Sequence, residues 1–221
     1  MALVPIQRLK KTELVWLASH RCKHSHTYIN HYDCYLEDNP NKERVGFLDI
    51  ETHGFKSDKG IMLTYCIKEM GKNKIYSDYI TKKDLSTHLD KRIVKNLVRD
   101  LANFDRIIGY YSSGFDVKFI RGRAVALGID FPEYGTKIHN DLYYIIRGKF
   151  GLSRNSLENA CRYLLGETQK THFDFGIWFK AIQGDAKSIK MILDHNKKDV
   201  LDTEALWKKV VNFSARRDAS I

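Results

Sequence analysis

The sequence predicts a mixed α/β domain in which helices cover a single sheet. Three observations support this fold class. First, three strand-like segments follow one another after residue 44, joined by short turns that contain "SDKG" and "GKNK". Second, the apolar spacing then changes from the two-residue repeat of strands to the three-to-four-residue repeat of helices. Third, short strands and helices alternate from there onward, as expected for parallel strands joined by helices.

Five strands are predicted between residues 44 and 140. Antiparallel pairing in a meander is expected for the first three, because their connections are short. Two later segments supply a fourth and a fifth strand. The predicted strands are "RVGFLDIET" (44–52), "GIMLTYCIKEM" (60–70), "NKIYSDYIT" (73–81), "DRIIGYY" (105–111) and "TKIHN" (136–140).

Helices are predicted where apolar residues recur at three-to-four spacing. Residues 82–104 read as one amphipathic helix, and residues 115–128 as a second that Gly128 closes. Ser153 is the expected N-cap of a later helix. The remaining predicted helices are 141–150, 153–166 and a long one from Asp185 to about Phe213.

Composition favours a polyanionic partner. The chain has 221 residues, 37 Lys and Arg against 27 Asp and Glu, and a formal net charge of +10. Such an excess suits nucleic acid first and an anionic membrane second, although a merely basic protein has the same signature. No apolar run approaches the ~20 residues that span a bilayer, and charges interrupt the N-terminus too early for a signal peptide. We therefore expect a cytoplasmic protein with reduced cysteines.

Two carboxylates stand out in the first predicted strand. Asp49 and Glu51 are two residues apart, so they share one face near the end of the strand. Bare carboxylates so close would repel each other, and a divalent cation such as Mg²⁺ or Mn²⁺ would remove that cost. An exposed sheet face would also explain the pair, and an isolated D-x-E does not choose between these readings.

Further candidates lie at the starts and faces of later helices. Asp116 follows the fourth strand and opens a helix, where an acid is also favoured by the helix dipole alone. His195 and Asp199 are four residues apart, so they share a helix face, as a solvated pair would too. Asp202 is seven residues from His195 and is an alternative to Asp199.

Together, "LDIET", "GYYSSGFDVKFI" and "DHNKKDV" resemble the DEDD superfamily of 3′–5′ exonucleases over residues 44–212. The resemblance is to the branch related to the exonuclease domain of family B DNA polymerases, which includes stand-alone phage and microbial proteins. It implies an RNase H-like fold and two Mg²⁺ or Mn²⁺ ions held by Asp49, Glu51, Asp116 and Asp199. It also implies that His195 deprotonates the attacking water.

Two departures from the family pattern are visible. His195 stands at the spacing that the tyrosine subgroup uses, and Tyr111 replaces an Asn that is usual in the second motif. The resemblance implies action on DNA single strands or 3′ ends, with replication or repair proteins as partners. An endonuclease, an RNA-directed exonuclease and a nucleic-acid-binding module with an impaired site remain alternatives.

Basic and aromatic residues around the second motif are candidate nucleic-acid contacts. Cations bind phosphates and aromatic rings stack on bases, but some of the rings belong equally well in a core. The candidates are Lys118, Arg121, Arg123, Tyr110 and Tyr111.

Residues 1–43 form a Cys- and His-rich N-terminal segment with no sustained strand or helix repeat. Cys22, His24, His31 and Cys34 follow the pattern C-x-H-x6-H-x2-C, which offers four ligands for a structural Zn²⁺. His20 or His26 could substitute, and a histidine-rich loop with two free thiols is the alternative. The domain prediction is completed by residues 44–214 as the exonuclease domain and 215–221 as a C-terminal tail.

Overall fold

The computed structural model describes residues 9–39, 42–169, 171, 174 and 176–214, together with the backbone of 219–220. Most of the predicted C-terminal tail therefore lies outside the described residues. Among the helices that are described, none is both long enough and apolar enough to cross a bilayer.

A six-stranded mixed sheet forms the centre of the fold, with strand order β3-β2-β1-β4-β5-β6. The first three strands pair antiparallel, β1 pairs parallel with β4, and β4 pairs parallel with β5. The predicted meander with added parallel strands is confirmed. The strands are β1 (Val45–His53), β2 (Ile61–Glu69), β3 (Ile75–Tyr79), β4 (Arg106–Gly109), β5 (Ile138–Asp141) and the edge β6 (Ala219–Ser220).

Helices flank both faces of this sheet, and the long predicted helix at the end of the domain is confirmed as α9. Asp185 caps it by accepting the Ser188 N–H at 2.8 Å. The described helices are α1 (Lys11–Ser19), α2 (Tyr32–Asp38), α3 (Lys82–Ser86), α4 (Lys91–Leu101), α5 (Asp116–Ala126), α6 (Leu142–Lys149), α7 (Leu157–Leu165), α8 (Gly176–Ile182) and α9 (Ala186–Val210).

Alternate side chains of β1 face two separate layers of the core. Leu48 and Ile50 pack with α4, α5 and α8 on one face. Val45 and Phe47 pack with α6, α7 and α9 on the other. Because side chains alternate along a strand, Asp49 and Glu51 continue the second face and point toward α9.

The single helix predicted over residues 82–104 is wrong, because the structure divides it into α3 and α4. Leu89 adopts a left-handed conformation with φ of +50° between them. The break places Asp90 where its carboxylate accepts the Met62 N–H at 2.9 Å and pairs with Arg123. Long-range bonding of a buried acid therefore outweighs the local apolar repeat.

Three smaller expectations also need correction. The N-terminal segment contains α1 and α2, which are too short to produce a sustained repeat. Ser156, not Ser153, caps α7 by accepting the Asn159 N–H at 3.3 Å. Helix α8 was not predicted at all.

Candidate metal-dependent active site

Carboxylates from β1 form the floor of the candidate site. Asp49 pairs in register with Cys66 of β2, and Glu51 with Thr64. The register between β1 and β2 shifts between Glu51 and Thr52. Such a bulge bends a strand and re-aims the side chains beside it. The two acids thus occupy the last regular positions of β1, on the face that α9 covers.

Asp116 binds to the edge of β1. Strand β4 pairs with β1 over Val45–Phe47 only, so the later amides on this side of β1 need other acceptors. Asp116 Oδ1 accepts the Ile50 N–H at 3.0 Å, and its side chain is buried. The start of α5 thereby brings a third carboxylate beside Asp49 and Glu51.

Helix α9 supplies the remaining groups from one buried face. His195 Nε2 lies 3.5 Å from Glu51 Oε1 and 3.7 Å from Asp199 Oδ2. Ligand atoms of these three residues all lie within 4.8 Å of one another. Asn196, the next residue, donates its side-chain N–H to Asp49 Oδ2. The structure therefore brings together all five residues that the motifs singled out.

Negative charge is concentrated at this point. Burial raises the pKa of Asp49 well above its usual value, and the charges of Asp116, Asp199 and Glu51 raise it further. Burial likewise raises the pKa of Asp116 to about 7, although the Ile50 N–H bond acts in the opposite direction. Each acid is therefore costly to ionise while its neighbours are ionised.

The donor set fits divalent cations. It offers carboxylate oxygens, which Mg²⁺ and Mn²⁺ prefer. Burial is the main cause of the raised pKa values of Asp49 and Asp116, nearby acids add to it, and a bound cation would favour the ionised carboxylates. The side-chain Oδ1 of the buried Asn196 has no hydrogen-bond partner among the described residues. An oxygen left in this state beside three acids is a place where bound water or a hydrated ion would be held.

Two concave regions adjoin the carboxylates. One cleft of about 610 Å³ is lined by Asp49 and Asp199, and also by Tyr110, Tyr111, Tyr143 and the segment 153–157. A second pocket of about 330 Å³ has Glu51 in its wall and is otherwise mainly apolar and aromatic, with Phe55, Phe115, Trp178 and Phe179. The first region thus combines acids with tyrosines, whereas the second is mainly apolar and aromatic.

The predicted nucleic-acid contacts fall into two groups. Lys118 and Arg121 are exposed on α5, and the Arg121 guanidinium lies over the Phe131 ring at 5.6 Å. Arg123 instead forms a two-pronged ion pair with Asp90, whose side chain is fully buried. Arg123 therefore joins α5 to the start of α4 through this ion pair.

Of the two tyrosines in the second motif, one is partly buried and the other is exposed. Tyr110 is partly buried, and its hydroxyl donates to the Asn155 carbonyl at 2.7 Å. Tyr111 is 46% exposed and adopts φ of +60°. Asp141 holds it there by accepting the Tyr111 N–H at 2.8 Å, while also accepting the Tyr143 N–H at 3.1 Å as the N-cap of α6. Tyr111 is therefore the more exposed of the two rings, and it makes an edge-on contact with the Tyr143 ring at 4.9 Å.

Several residues that position this site were not foreseen. Asn196 contacts Asp49, and Thr171 Oγ1 shares a hydrogen bond of 3.1 Å with His195 Nδ1. Only the position of Asn196 directly after His195 could have drawn attention to it. Asp202, the alternative to Asp199, instead accepts from Thr168 Oγ1 at 2.6 Å.

The fold and this site define a class of protein with an RNase H-like fold and a carboxylate centre. Residues 46–211 match the sequence model of the RNase_H_2 family, of the RNase_H superfamily. The chain belongs to this superfamily, and membership supports a nuclease. No curated protein matches the chain.

A solved structure of the family B DNA polymerase from the hyperthermophilic archaeon Pyrobaculum calidifontis is similar, with a TM-score of 0.62 and 18% sequence identity. The similarity covers 76% of this chain and 24% of the polymerase. The chain thus corresponds to about a quarter of the polymerase, and at this identity the similarity shows the fold.

Proposed function

We propose that the protein is a metal-dependent 3′–5′ exonuclease that hydrolyses DNA from single strands or 3′ ends. The observation that carries this proposal is the convergence of Asp49, Asp116 and the Glu51–His195–Asp199 group at the end of β1. Membership of the RNase_H superfamily and the structural similarity to a DNA polymerase support it.

Asp49, Glu51, Asp116 and Asp199 would hold two Mg²⁺ or Mn²⁺ ions. When bound, such ions lower the pKa of water and stabilise the charge on the leaving oxygen. The protein's own contribution is to keep these carboxylates in place before substrate arrives. The Ile50 N–H fixes Asp116, and the Asn196 amide fixes Asp49.

His195 is assigned the removal of a proton from the attacking water. Its Nε2 faces Glu51 and Asp199 within the cluster, whereas its Nδ1 is bonded to Thr171. A bond at one ring nitrogen fixes the ring orientation and leaves the other nitrogen for chemistry. An imidazole nitrogen can accept a proton and release it again, which is what a general base must do.

The clefts support a single-stranded substrate. Tyr111 offers an exposed ring in the larger cleft, and the aromatic pocket beside Glu51 suits an unpaired base. Lys118 and Arg121 provide exposed positive charge on the helix that Asp116 begins. Base stacking contributes about 1–3 kcal/mol per base and does not require a particular sequence.

The test is a cleavage assay with 5′-labelled single-stranded DNA in Mg²⁺, in Mn²⁺ and in EDTA. The proposal expects a metal-dependent ladder that shortens from the 3′ end. Asp199→Asn should reduce the rate by at least about 10²-fold, since it removes a carboxylate that would hold the ions that stabilise transition-state charge. Asp202→Asn is the matched control, because it makes the same change three residues along α9 and should cleave at nearly the wild-type rate.

Circular single-stranded DNA and RNA of the same sequence separate the alternatives. Cleavage of the circle would contradict an exonuclease and favour an endonuclease. Preferential shortening of the RNA would overturn the assignment to DNA. Salt-sensitive binding with no cleavage of any substrate in either metal would identify a binding module instead.

A further inference from the structure

We propose that Cys22, His24, His31 and Cys34 bind one structural Zn²⁺ ion, at a site separate from the carboxylate cluster. Ligand atoms of Cys22, His24 and Cys34 all lie within 4.8 Å of one another. His31 Nδ1 lies 3.3 Å from Cys34 Sγ. Two sulfurs and two imidazoles make one of the common tetrahedral sets for zinc, whereas Mg²⁺ requires oxygen ligands.

A tight turn presents the first two ligands. Arg21 and Thr27 form an antiparallel bridge, and the Cys22 N–H donates to the His26 carbonyl at 2.9 Å. The chain reverses between them, with the Ser25 N–H donating to the Cys22 carbonyl at 2.9 Å. The turn brings the His24 ring back to within 4.0 Å of Cys22 Sγ.

The start of α2 presents the other two ligands. His31 is the N-cap residue and Cys34 the third residue of the helix, so their side chains lie on the same side. Cys34 Sγ is 3.6 Å from His24 Nδ1 and 3.3 Å from His31 Nδ1. Tetrahedral zinc with bonds of about 2.3 Å to sulfur and 2.0–2.1 Å to nitrogen would separate S and N by about 3.6 Å.

The contacts of the histidines in this segment indicate which of them is the fourth zinc ligand. His20 Nδ1 lies 2.9 Å from the Trp16 carbonyl, and its ring stacks on Trp16 at 4.1 Å. His26 stacks on His31 at 4.2 Å, so it supports a ligand ring from behind. His31, whose Nδ1 lies 3.3 Å from Cys34 Sγ, is therefore assigned as the fourth ligand.

The N-terminal segment has a small core of its own. Leu17, Tyr32 and Leu36 are buried together, and the cluster docks on Ile138 at the first position of β5. Helices of 9 and 7 residues are marginal without further support, and so few apolar side chains provide little stabilisation. A metal that joins the turn to α2 would supply the missing cross-link.

The placement separates the two metal sites. Ile138 begins β5, whereas Asp141 ends it and holds Tyr111 beside the cleft. Strands β1, β4 and β5 are parallel, and Ile138 lies at their N-terminal ends. The docked segment is therefore at the opposite ends of these strands from the carboxylates. Zinc is thus expected to fasten the N-terminal segment to β5 and to take no part in hydrolysis.

The first experiment measures zinc bound to the full chain after purification and dialysis against metal-free buffer. One zinc per chain is expected. Replacement by Co²⁺ should give the thiolate-to-cobalt charge-transfer band and the strong visible bands of a tetrahedral site. Cys22→Ser and Cys34→Ser should weaken zinc binding by at least about 10²-fold, while Cys161→Ala is the matched control because that buried thiol lies elsewhere.

Histidine variants test the choice of the fourth ligand. His31→Ala should lose the tetrahedral cobalt spectrum, and His31→Cys should restore one with an added thiolate contribution. His20→Ala and His26→Ala should keep one equivalent of metal. Trypsin should cut the N-terminal segment faster after zinc is removed with a chelator, and re-addition of zinc should reverse this.

Several results would overturn the proposal. Wild-type protein that retains no zinc and gives an octahedral cobalt spectrum would contradict it. So would a mass lower by two hydrogens under mild conditions, which would reveal a disulfide between Cys22 and Cys34. Full zinc retention in His31→Ala with loss in His26→Ala would refute the ligand assignment. These outcomes do not depend on nuclease activity.

Discussion

Two buried aspartates near helix starts have pKa values that are shifted in opposite directions, because only one of them has an arginine partner. Asp84 in the first turn of α3 bonds Arg92 through two guanidinium nitrogens, at 3.0 and 2.8 Å. Those bonds, together with bonds from Thr81, lower the pKa of Asp84 to about 2 in spite of burial. Asp116 at the start of α5 is also buried, but it faces Asp49, and burial raises its pKa to about 7.

The difference shows how this fold uses its acids. Asp84 and Asp90 have arginine partners and hold elements together. Asp49 and Asp116 have amide partners that orient them, while burial makes their ionisation costly and nearby acids add to that cost. Such an arrangement reduces the stability of the protein alone, and a bound cation would offset that cost. Burial therefore lowers stability at the carboxylate centre, whereas Asp84 is stabilised by its arginine partner.

The largest expected changes in the free energy of unfolding come from neutralising each aspartate in turn. The pKa of Asp116 is raised when folded, so its stabilising effect is present at low pH and is lost as pH rises through about 7. Asp116→Asn should therefore raise the free energy of unfolding of metal-free protein at pH 8, by at most about 4 kcal/mol. It should also abolish cleavage.

Asp84→Asn should act in the opposite direction. Its lowered pKa means stabilisation that is present at neutral pH and is lost as pH falls through about 2. The substitution should lower the free energy of unfolding at pH 8 by about 2 kcal/mol. Urea unfolding of both variants measures the two effects, and destabilisation by both substitutions would contradict the comparison.

A buried histidine extends the comparison to a base. His139 is buried, its Nε2 lies 2.9 Å from Ser112 Oγ, and burial lowers its pKa to about 4. Unfolding lets it take up a proton below about pH 6.5, so its contribution to stability falls as pH drops from 6.5 to 4. The loss amounts to about 3 kcal/mol.

His139→Gln should reduce this pH dependence while keeping a polar group near Ser112. The measurement is the free energy of unfolding at pH 7 and at pH 4.5 for wild type and variant. An equal drop in both proteins would mean that His139 does not titrate as its burial indicates.

Magnesium should stabilise the protein more at pH 8 than at pH 5. The raised pKa values of Asp49 and Asp116 mean that protons compete for these carboxylates at the lower pH. For a dissociation constant near 1 mM, 10 mM Mg²⁺ adds about 1.4 kcal/mol, or roughly 3–6 °C in Tm. Thermal unfolding with and without Mg²⁺ at each pH tests this, with NaCl at matched ionic strength as the control.

The same experiment on Asp49→Asn locates the effect. This variant should show little Mg²⁺-dependent change in Tm at either pH. A full shift in Asp49→Asn would place the stabilising ion somewhere other than the carboxylate cluster.

The smallest expected effect concerns the exposed ring of the larger cleft. Tyr111 has φ of +60°, a conformation that favours glycine, so Tyr111→Gly should keep or slightly raise the free energy of unfolding. Loss of one stacking ring should raise the KM for single-stranded DNA by about 5-fold, equivalent to about 1 kcal/mol. Tyr134→Ala, at another exposed tyrosine, should leave KM unchanged. An unchanged KM in Tyr111→Gly would remove the stacking role.

Sequence patterns predicted the features that depend on local periodicity. The two-residue repeat put Asp49 and Glu51 on one face of β1, and the helical repeat put His195 and Asp199 on one face of α9. The sheet and most of the helices around it follow from the same repeats. These relations survive folding because each is fixed by the geometry of a single element.

Only the tertiary structure decided which groups meet across elements. Asp116 bonds the Ile50 N–H because β4 leaves that edge of β1 open. Arg123 pairs with Asp90, which is 33 residues away in the sequence, so the charge predicted to contact phosphate already has a buried partner. The proposed assignment of His31 rather than His20 or His26 to zinc likewise rests on contacts made in the folded N-terminal segment. Partners at long sequence separation are set by packing, which no local repeat encodes.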